Sequence, residues 1–414
     1  MGKPMRTVIS VSIAIASTAA WAAPRLPPEP LVIAALDNHP SVIAAAARVD
    51  AARAGSTMLA RGTHELTLQG SYVSRDVTNE RRYDEFDSTL MRGVRLPGKA
   101  RLDRKAGELG VDVAHNRMED ARHQVALMLA GLWFDWQVAG ELRRNEQSSV
   151  DLLQQELRAL ERRRDLRDAA QLDVDQAQAA LDQARGQAAQ SAALEAQARA
   201  RLAAMFPDLP LPDFPPDLGS PELPEQSLEA LRDMVVSRSH EIVAAEREAE
   251  RLGVLSQRAT RDRVADPSLG VRLFSERSGM ERGAGVVFQM PLGGGYRKAV
   301  AAQASAEANA ASFDLANVRR EVEATADADL ADVRSRMETW GRFASAVRSA
   351  GQAAERTATG HRLGELDLAA LLLARRQHND ARRMEIATRA DAIRALVRLQ
   401  IDAHVIWKDE DVDH

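Results

Sequence analysis

The chain has 414 residues, no cysteine, 45% apolar residues but only 4% aromatic ones, and a net charge of -5. Alanine alone accounts for 74 positions, so most of the apolar content is small side chains rather than the large ones that fill a thick globular core. Disulfides, thiolate metal sites, a cysteine nucleophile and a lipidated N-terminal cysteine are excluded, and the charge balance lacks the basic footprint of a nucleic-acid binder.

At the N-terminus Lys3 and Arg6 precede a small-residue apolar run from Thr7 to Ala20, and Ala20-Trp21-Ala22 has the pattern a signal peptidase reads. Residues 1–22 are therefore expected to be an export signal. The run is shorter than the roughly 20 residues a spanning helix needs, and no later segment is long and apolar enough to cross a membrane as a helix. Short barrel strands would escape such a scan.

The unit 31–206 follows. Alanines and branched aliphatics recur at helical spacing from Leu31 to Ala60, predicting one helix. Two stretches of alternating pattern come next. Leu66, Leu68, Gly70 and Tyr72 share one face; Leu90, Val94 and Leu96 share another, interrupted by Arg92. The charged stretch between them, Arg75 to Asp87, reads as an exposed turn. Pro97-Gly98 marks the exit, after which residues 98–206 contain no proline. A proline inside a helix costs about 3 kcal/mol, so this stretch can be helical throughout. Lys99 to Arg164 would make roughly 100 Å of helix at 1.5 Å per residue. A break near Asp165 to Asp168 and a return helix to Ala204 complete the unit.

Seven of the 16 prolines lie between Pro207 and Pro224, so residues 207–227 read as an extended linker. The unit 228–407 repeats the order of the first: a helix from Leu228 to Arg261, alternating stretches at Leu269 to Leu273 and Val286 to Met290 around a turn at Ser275 to Gly283, a long helix from Arg297 to His361, a break at Gly360 to Gly364, and a return helix to Trp407. Val42-Ile43-Ala44-Ala45 matches Ile242-Val243-Ala244-Ala245, an internal repeat. Stripes such as Ala177, Ala180, Leu181 and Ala184 describe coiled-coil contact through small residues. Residues 408–414 form an acidic tail. Four strands cannot close a barrel, and helix pairs this thin need neighbours.

A signal peptide followed twice by helix, strand, strand, very long helix and return helix resembles the TolC family of outer-membrane efflux proteins. Two local motifs sharpen the likeness. Leu96-Pro97-Gly98-Lys99-Ala100-Arg101 is similar to the Leu-Pro-Gly-Lys-Arg run of the CzcC-like, heavy-metal branch, and Arg362-Leu363-Gly364 stands where the helical tips of the family carry an apolar residue and glycine.

The resemblance implies a mainly α fold with a small β part. Duplicated long-helix hairpins would build an α-barrel tunnel across the periplasm, and four strands per chain would close a 12-stranded transmembrane β-barrel in a homotrimer. It implies a passive conduit for efflux, with divalent metal cations as the expected cargo. Its partners would be outer-membrane lipid, a periplasmic adaptor at the helical tips and an inner-membrane pump of the resistance-nodulation-division type. Asp173 aligns with a carboxylate that closes the periplasmic end in TolC. The other gate positions fall on Ala370 and Leu373, which departs from the acidic pattern and suggests an apolar constriction. Leu166, Arg167, Arg362, Leu363 and Gly364 are candidates for adaptor contact, with Arg167 where glycine is usual.

The competing expectation is a soluble periplasmic coiled-coil adaptor or structural spacer. Duplicated strand pairs are superfluous in a spacer, and the helix breaks are too short to hold an adaptor's extra domain. The nine histidines show no i, i+4 pair, so isolated exposed histidines are expected rather than a metal site. Trp133, Phe134 and Trp136 are expected to pack between helices. Gly293-Gly294-Gly295 lacks the following Lys-Ser/Thr of a phosphate loop. No catalytic set, cofactor site or nucleic-acid surface stands out.

Overall fold

The computed structural model of the protein describes residues 26–407. The expected signal segment and the acidic tail lie outside them. The same succession of elements occurs twice, on either side of residues 207–227. In the first half α1 (Glu29–Asp37) and α2 (Pro40–Arg61) lead into β1 (Leu66–Asp76) and β2 (Arg82–Gly93), then α3 (Lys99–Asp165) and α4 (Gln171–Met205). In the second, α5 (Leu228–Ser237) and α6 (His240–Arg261) lead into β3 (Ser268–Glu276) and β4 (Glu281–Gln289), then α7 (Gly295–Arg362) and α8 (Leu368–Asp402).

The long helices are as expected, 67 residues in α3 and 68 in α7, each about 100 Å. The opening helix of each half is not single, as the periodicity predicts, but broken. Before Pro40, His39 is extended and its ring accepts a bond from the Ser41 amide, so α1 and α2 meet at 57°. In the second half the Ser239 hydroxyl caps α6 by accepting from the Ile242 amide. The α8 helix also stops short of the expected Trp407, at Asp402, where Ala403 closes it and His404 takes a positive φ.

The expected turns at Arg75 to Asp87 and Ser275 to Gly283 are mostly strand. Only residues 77–81 and residues 277–280, which hold a short 3₁₀ turn at Arg277–Gly279, lie between strands. The charges that suggested loops are cross-strand partners instead: Arg75 donates to Glu85 at 3.0 Å and Tyr72 to Asp84 at 2.8 Å. Conversely, Val94 and Leu96 fall beyond the end of β2.

The strands form one antiparallel sheet in the order β1-β2-β3-β4, with β2 and β3 joining the two halves. Helix packing follows the same plan. The α3 helix lies against α2, α4, α6 and α8, whereas α7 lies against α5, α6 and α8. The main core is at the waist. Trp133, Phe134 and Trp136 are buried there, as expected, with Leu129 and Leu202. Residues 207–227 contain no helix or strand, yet they are packed: Leu209 and Leu218 enter this core, Arg144 donates to the Pro215 carbonyl, and the Leu218 amide donates to Glu141. The linker is a strap around the waist. A second core follows the first hairpin toward its tip, through Leu157, Leu160, Ala177 and Leu181.

Candidate functional site

Alternation in the sheet sorts its side chains onto two unlike faces. Register places Leu68, Leu90, Val271 and Val286 in one row across all four strands, with Leu66, Leu269 and Phe288 below and Tyr72 and Phe86 above. All of these apolar side chains are exposed, Val286 by 83%. They make a continuous apolar band about 20 Å tall at 3.3 Å per residue. Arg92, the apparent interruption, sits at the lower rim of this face and donates to the His64 carbonyl. The opposite face carries Thr67, Gln69, Ser71, Thr89 and two cross-strand ion pairs, Arg75 with Glu85 and Arg272 with Asp87. A sheet exposed on both faces, apolar on one and ion-paired on the other, suits a wall between lipid and water. Among the described residues its outer edges, β1 and β4, pair with no further strand. Among the described residues no single helix is long and apolar enough to cross a membrane.

Below the sheet, the motif lysine is buried at the neck. Gly98, at φ 85°, turns the chain into α3. Lys99 then points away from solvent and its ammonium donates at 2.8 Å to each of three acceptors, Asp262 Oδ1, the Val264 carbonyl and Asp266 Oδ1. Three protons meet three oxygens. Asp266 also accepts from the Leu96 amide at 3.0 Å and contacts His64 Nε2 at 3.1 Å. One turn on, Asp103 bridges Arg95 at 3.1 Å and Arg258 at 2.6 Å. Burial opposes ionisation of Asp262 and Asp266, but bonds from Arg258 and Lys99 to Asp262, and from Lys99 and the Leu96 amide to Asp266, hold both below the usual carboxylate range. The Lys99 run thus ties the first half of the chain to the loop that enters β3.

At the far end, both hairpins turn in the same way. The Arg167 and Asp168 amides donate back to the carbonyls of Arg164 and Arg163; Gly364 and Glu365 do the same to His361 and Gly360. Arg167 takes φ 63° and Gly364 takes φ 75°, so an arginine occupies the left-handed position for which glycine is the usual choice. Leu166 and Leu363 project from the tips, 80% and 70% exposed, and Arg362 beside them is exposed as well. Asp173 is the third residue of α4 and accepts from the Ala170 amide at 3.3 Å. In the second hairpin the carboxylate has moved to the cap itself: Asp367 accepts from the Ala370 amide at 2.8 Å. The acid missing at Ala370 therefore reappears three residues earlier. Leu373 is exposed one turn on.

The histidines correct the expectation of isolation. His404 packs against His123, tilted by 38°, and edge-to-face against His240, with ring centroids at 5.1 and 4.8 Å, and His123 Nε2 lies 2.9 Å from Asp402. Helices α3 and α6 and the turn that follows α8, far apart in sequence, bring them together, which i, i+4 spacing could not reveal. Burial, reinforced by His123 and His240, pushes the His404 imidazole down to about 3, and burial likewise lowers His240. Beside them Asp329 is half-buried, which Arg398 only partly offsets, and adjoins Asp402, so its carboxyl is raised to about 6. No group of three or more ligating side chains among the described residues is arranged to hold a metal ion.

By sequence the chain matches no family profile and no curated protein. By structure it superposes on the outer-membrane channel OprN with a TM-score of 0.74 and 20% identity, over 92% of this chain and 90% of that one. The fold is that of the TolC-like outer-membrane channels. VceC, an outer membrane protein of Vibrio cholerae, shares this TolC-like fold at a TM-score of 0.71 and 16% identity, over 90% and 95% of the two chains. The open state of the MtrE outer membrane channel of Neisseria gonorrhoeae does so at 0.70 and 17%, over 92% and 90%.

Proposed function

We propose that this chain is the outer-membrane channel component of a tripartite efflux pump, acting as a passive conduit from periplasm or cytoplasm to the outside. Three copies place their sheets together as a barrel in the outer membrane, and their helical hairpins form a tunnel through the periplasm. The sheet carries this reading. It has an exposed apolar face, an ion-paired opposite face and two open edges, and it stands at the end of helices about 100 Å long. Four strands are too few to close a barrel; three copies supply twelve.

In this reading Leu166, Arg167, Arg362, Leu363 and Gly364 meet a periplasmic adaptor, which links the channel to an inner-membrane pump of the resistance-nodulation-division type. Asp173, Ala370 and Leu373 line the periplasmic aperture. Extraction of outer membranes with detergent, followed by mass measurement, is expected to yield a trimer. Recovery as a salt-soluble periplasmic monomer would sink the assignment.

The cargo we assign is divalent metal cations. The support is the likeness of Leu96 to Arg101 to the CzcC-like run, not a cation site, because Lys99 is committed to the neck. Deletion is expected to sensitise cells to divalent metals more than to dyes or antibiotics. Equal or reversed sensitivity would remove the cargo assignment and leave the channel standing.

A further inference from the structure

The two ends of the sheet are charged differently. At the hairpin ends, residues 75–87 and 272–282, six Arg stand against seven Asp and Glu, and ion pairs such as Arg75 with Glu85 and Arg272 with Asp87 cross between strands. At the neck, residues 58–65, 92–105, 258–267 and 290–300, twelve Lys and Arg meet only four Asp and Glu. The neck therefore carries +8 in a chain whose net charge is -5.

Part of this charge is matched internally, because Arg95, Lys99 and Arg258 face Asp103, Asp262 and Asp266. The remainder is not. Arg61, Arg101, Arg104, Lys105, Arg263 and Lys298 are exposed and form no ion pair among the described residues. Helix stability does not account for them: Arg101, Arg104 and Lys105 lie in the first two turns of α3 and Lys298 in the first turn of α7, where the helix dipole disfavours cations. Neither first turn holds an acid.

Their surroundings are amphipathic. Met58, Val264, Leu292 and Tyr296 lie in the same belt, each more than half exposed, with Met58 one turn before Arg61 and Val264 next to Arg263. Exposed apolar side chains mixed with unpaired cations suit a membrane interface, where apolar groups reach the hydrocarbon edge and charged heads stay among phosphates. A water-filled lumen would offer the apolar ones nothing to bury against. The belt begins where Arg92 closes the apolar face of the sheet, and from Lys99 to Lys105 it extends about 9 Å along α3, the depth of a headgroup layer.

We propose that the neck is a collar that binds the anionic headgroups of phospholipids in the periplasmic leaflet. The proposal rests on the channel reading, which sets the apolar band in the outer membrane and the long helices in the periplasm. Charge complementarity selects the lipid class: a phosphodiester with net negative charge is favoured over a zwitterionic headgroup, by roughly fivefold in affinity for each cation near the surface.

The test uses the full-length, detergent-extracted protein, titrated with phosphatidylglycerol, phosphatidylethanolamine or inorganic phosphate, with bound lipid counted by native mass spectrometry. Phosphatidylglycerol is expected to bind at least about tenfold more tightly than phosphatidylethanolamine and to resist displacement by phosphate. Arg101→Gln combined with Arg104→Gln and Lys105→Gln should weaken it by about 100-fold. Arg101→Lys with Arg104→Lys should retain it, which separates loss of charge from loss of fold, and Arg81→Gln with Arg82→Gln and Arg282→Gln at the hairpin ends should leave it unchanged.

Ready displacement by phosphate would mean a site for free anions and overturn the lipid assignment. An altered ratio of anion to cation permeability in the neck triple variant, with lipid binding intact, would place these cations in the lumen and overturn it too. A trimer that binds both lipids equally overturns the collar but leaves the channel reading intact, whereas a monomer overturns both.

Discussion

The two halves of the chain build the same elements from different contacts, and the differences are concentrated where helices end. At the neck, Lys99 of the first half is buried among three oxygens; the corresponding turn of the second half carries Arg297, which reaches only the carbonyls of Pro291, Gly293 and Arg263. At the waist, His39 packs against Phe206 in the first half, whereas His240 meets His404 edge-to-face in the second and joins an ionisable cluster. At the tips, Arg167 and Gly364 share one backbone conformation, and a carboxylate serves the third helical residue in one hairpin and the cap in the other. Helix lengths and order are thus duplicated, while the end contacts have diverged. A repeated fold tolerates this because each helix terminus needs some partner for its free amides or carbonyls, not a particular one.

The neck is the sharpest place to test that divergence. Lys99→Ala would leave Asp266 half-buried without its lysine, while Asp262 keeps Arg258, and is expected to cost about 3 kcal/mol in denaturant unfolding of the detergent-solubilised protein. Arg297→Ala, which removes bonds to loop carbonyls only, should cost about 1 kcal/mol or less. Equal losses would mean that the two necks are energetically alike despite their contacts.

The waist should respond to pH through the cluster around His404. His404 has a folded pKa of about 3 against roughly 6.5 when unfolded, so the folded state binds fewer protons. The sign follows: stability from this group is complete above about pH 6.5 and is lost as pH falls toward 3. Asp329, raised to about 6, acts in the opposite sense between pH 6 and 4 and offsets part of the loss. His404→Gln is expected to flatten the fall in melting temperature between pH 6.5 and 4.5 by several degrees. A slope identical to that of the unsubstituted protein would show that the cluster does not set acid sensitivity.

Much of this architecture was legible in the residues. Proline-free stretches and small-residue stripes mark α3, α4, α7 and α8 because nothing in them interrupts the backbone ladder. The outer halves of the strands were hidden for a physical reason: Arg75, Asp84, Glu85 and Asp87 are charged like loop residues, but their partners stand across the hairpin or on β3, not along the chain. The breaks before α2 and α6 are hidden by the unbroken apolar periodicity across them, although Pro40 is a visible signal and Ser239 a visible cap. The tips fell close to their expected positions, since Gly364 and the flanking apolar residues are local features. Lys99 drew attention through its motif, but its burial depends on Asp262 and Asp266 more than 160 residues away, and the His123, His240 and His404 cluster is equally non-local.

The neck also has a bearing on how such a wall can be altered by design. A ring of identical single units would repeat any substitution at every junction. Here the junction held by Lys99 lies within the chain, between the start of α3 and the loop that enters β3, whereas the strand that precedes Arg297, β4, is at the edge of the sheet. The two kinds of junction can therefore be edited separately. In a three-copy assembly, a change at Lys99 would reach only alternate junctions, leaving the intervening three as an internal control within the same molecule.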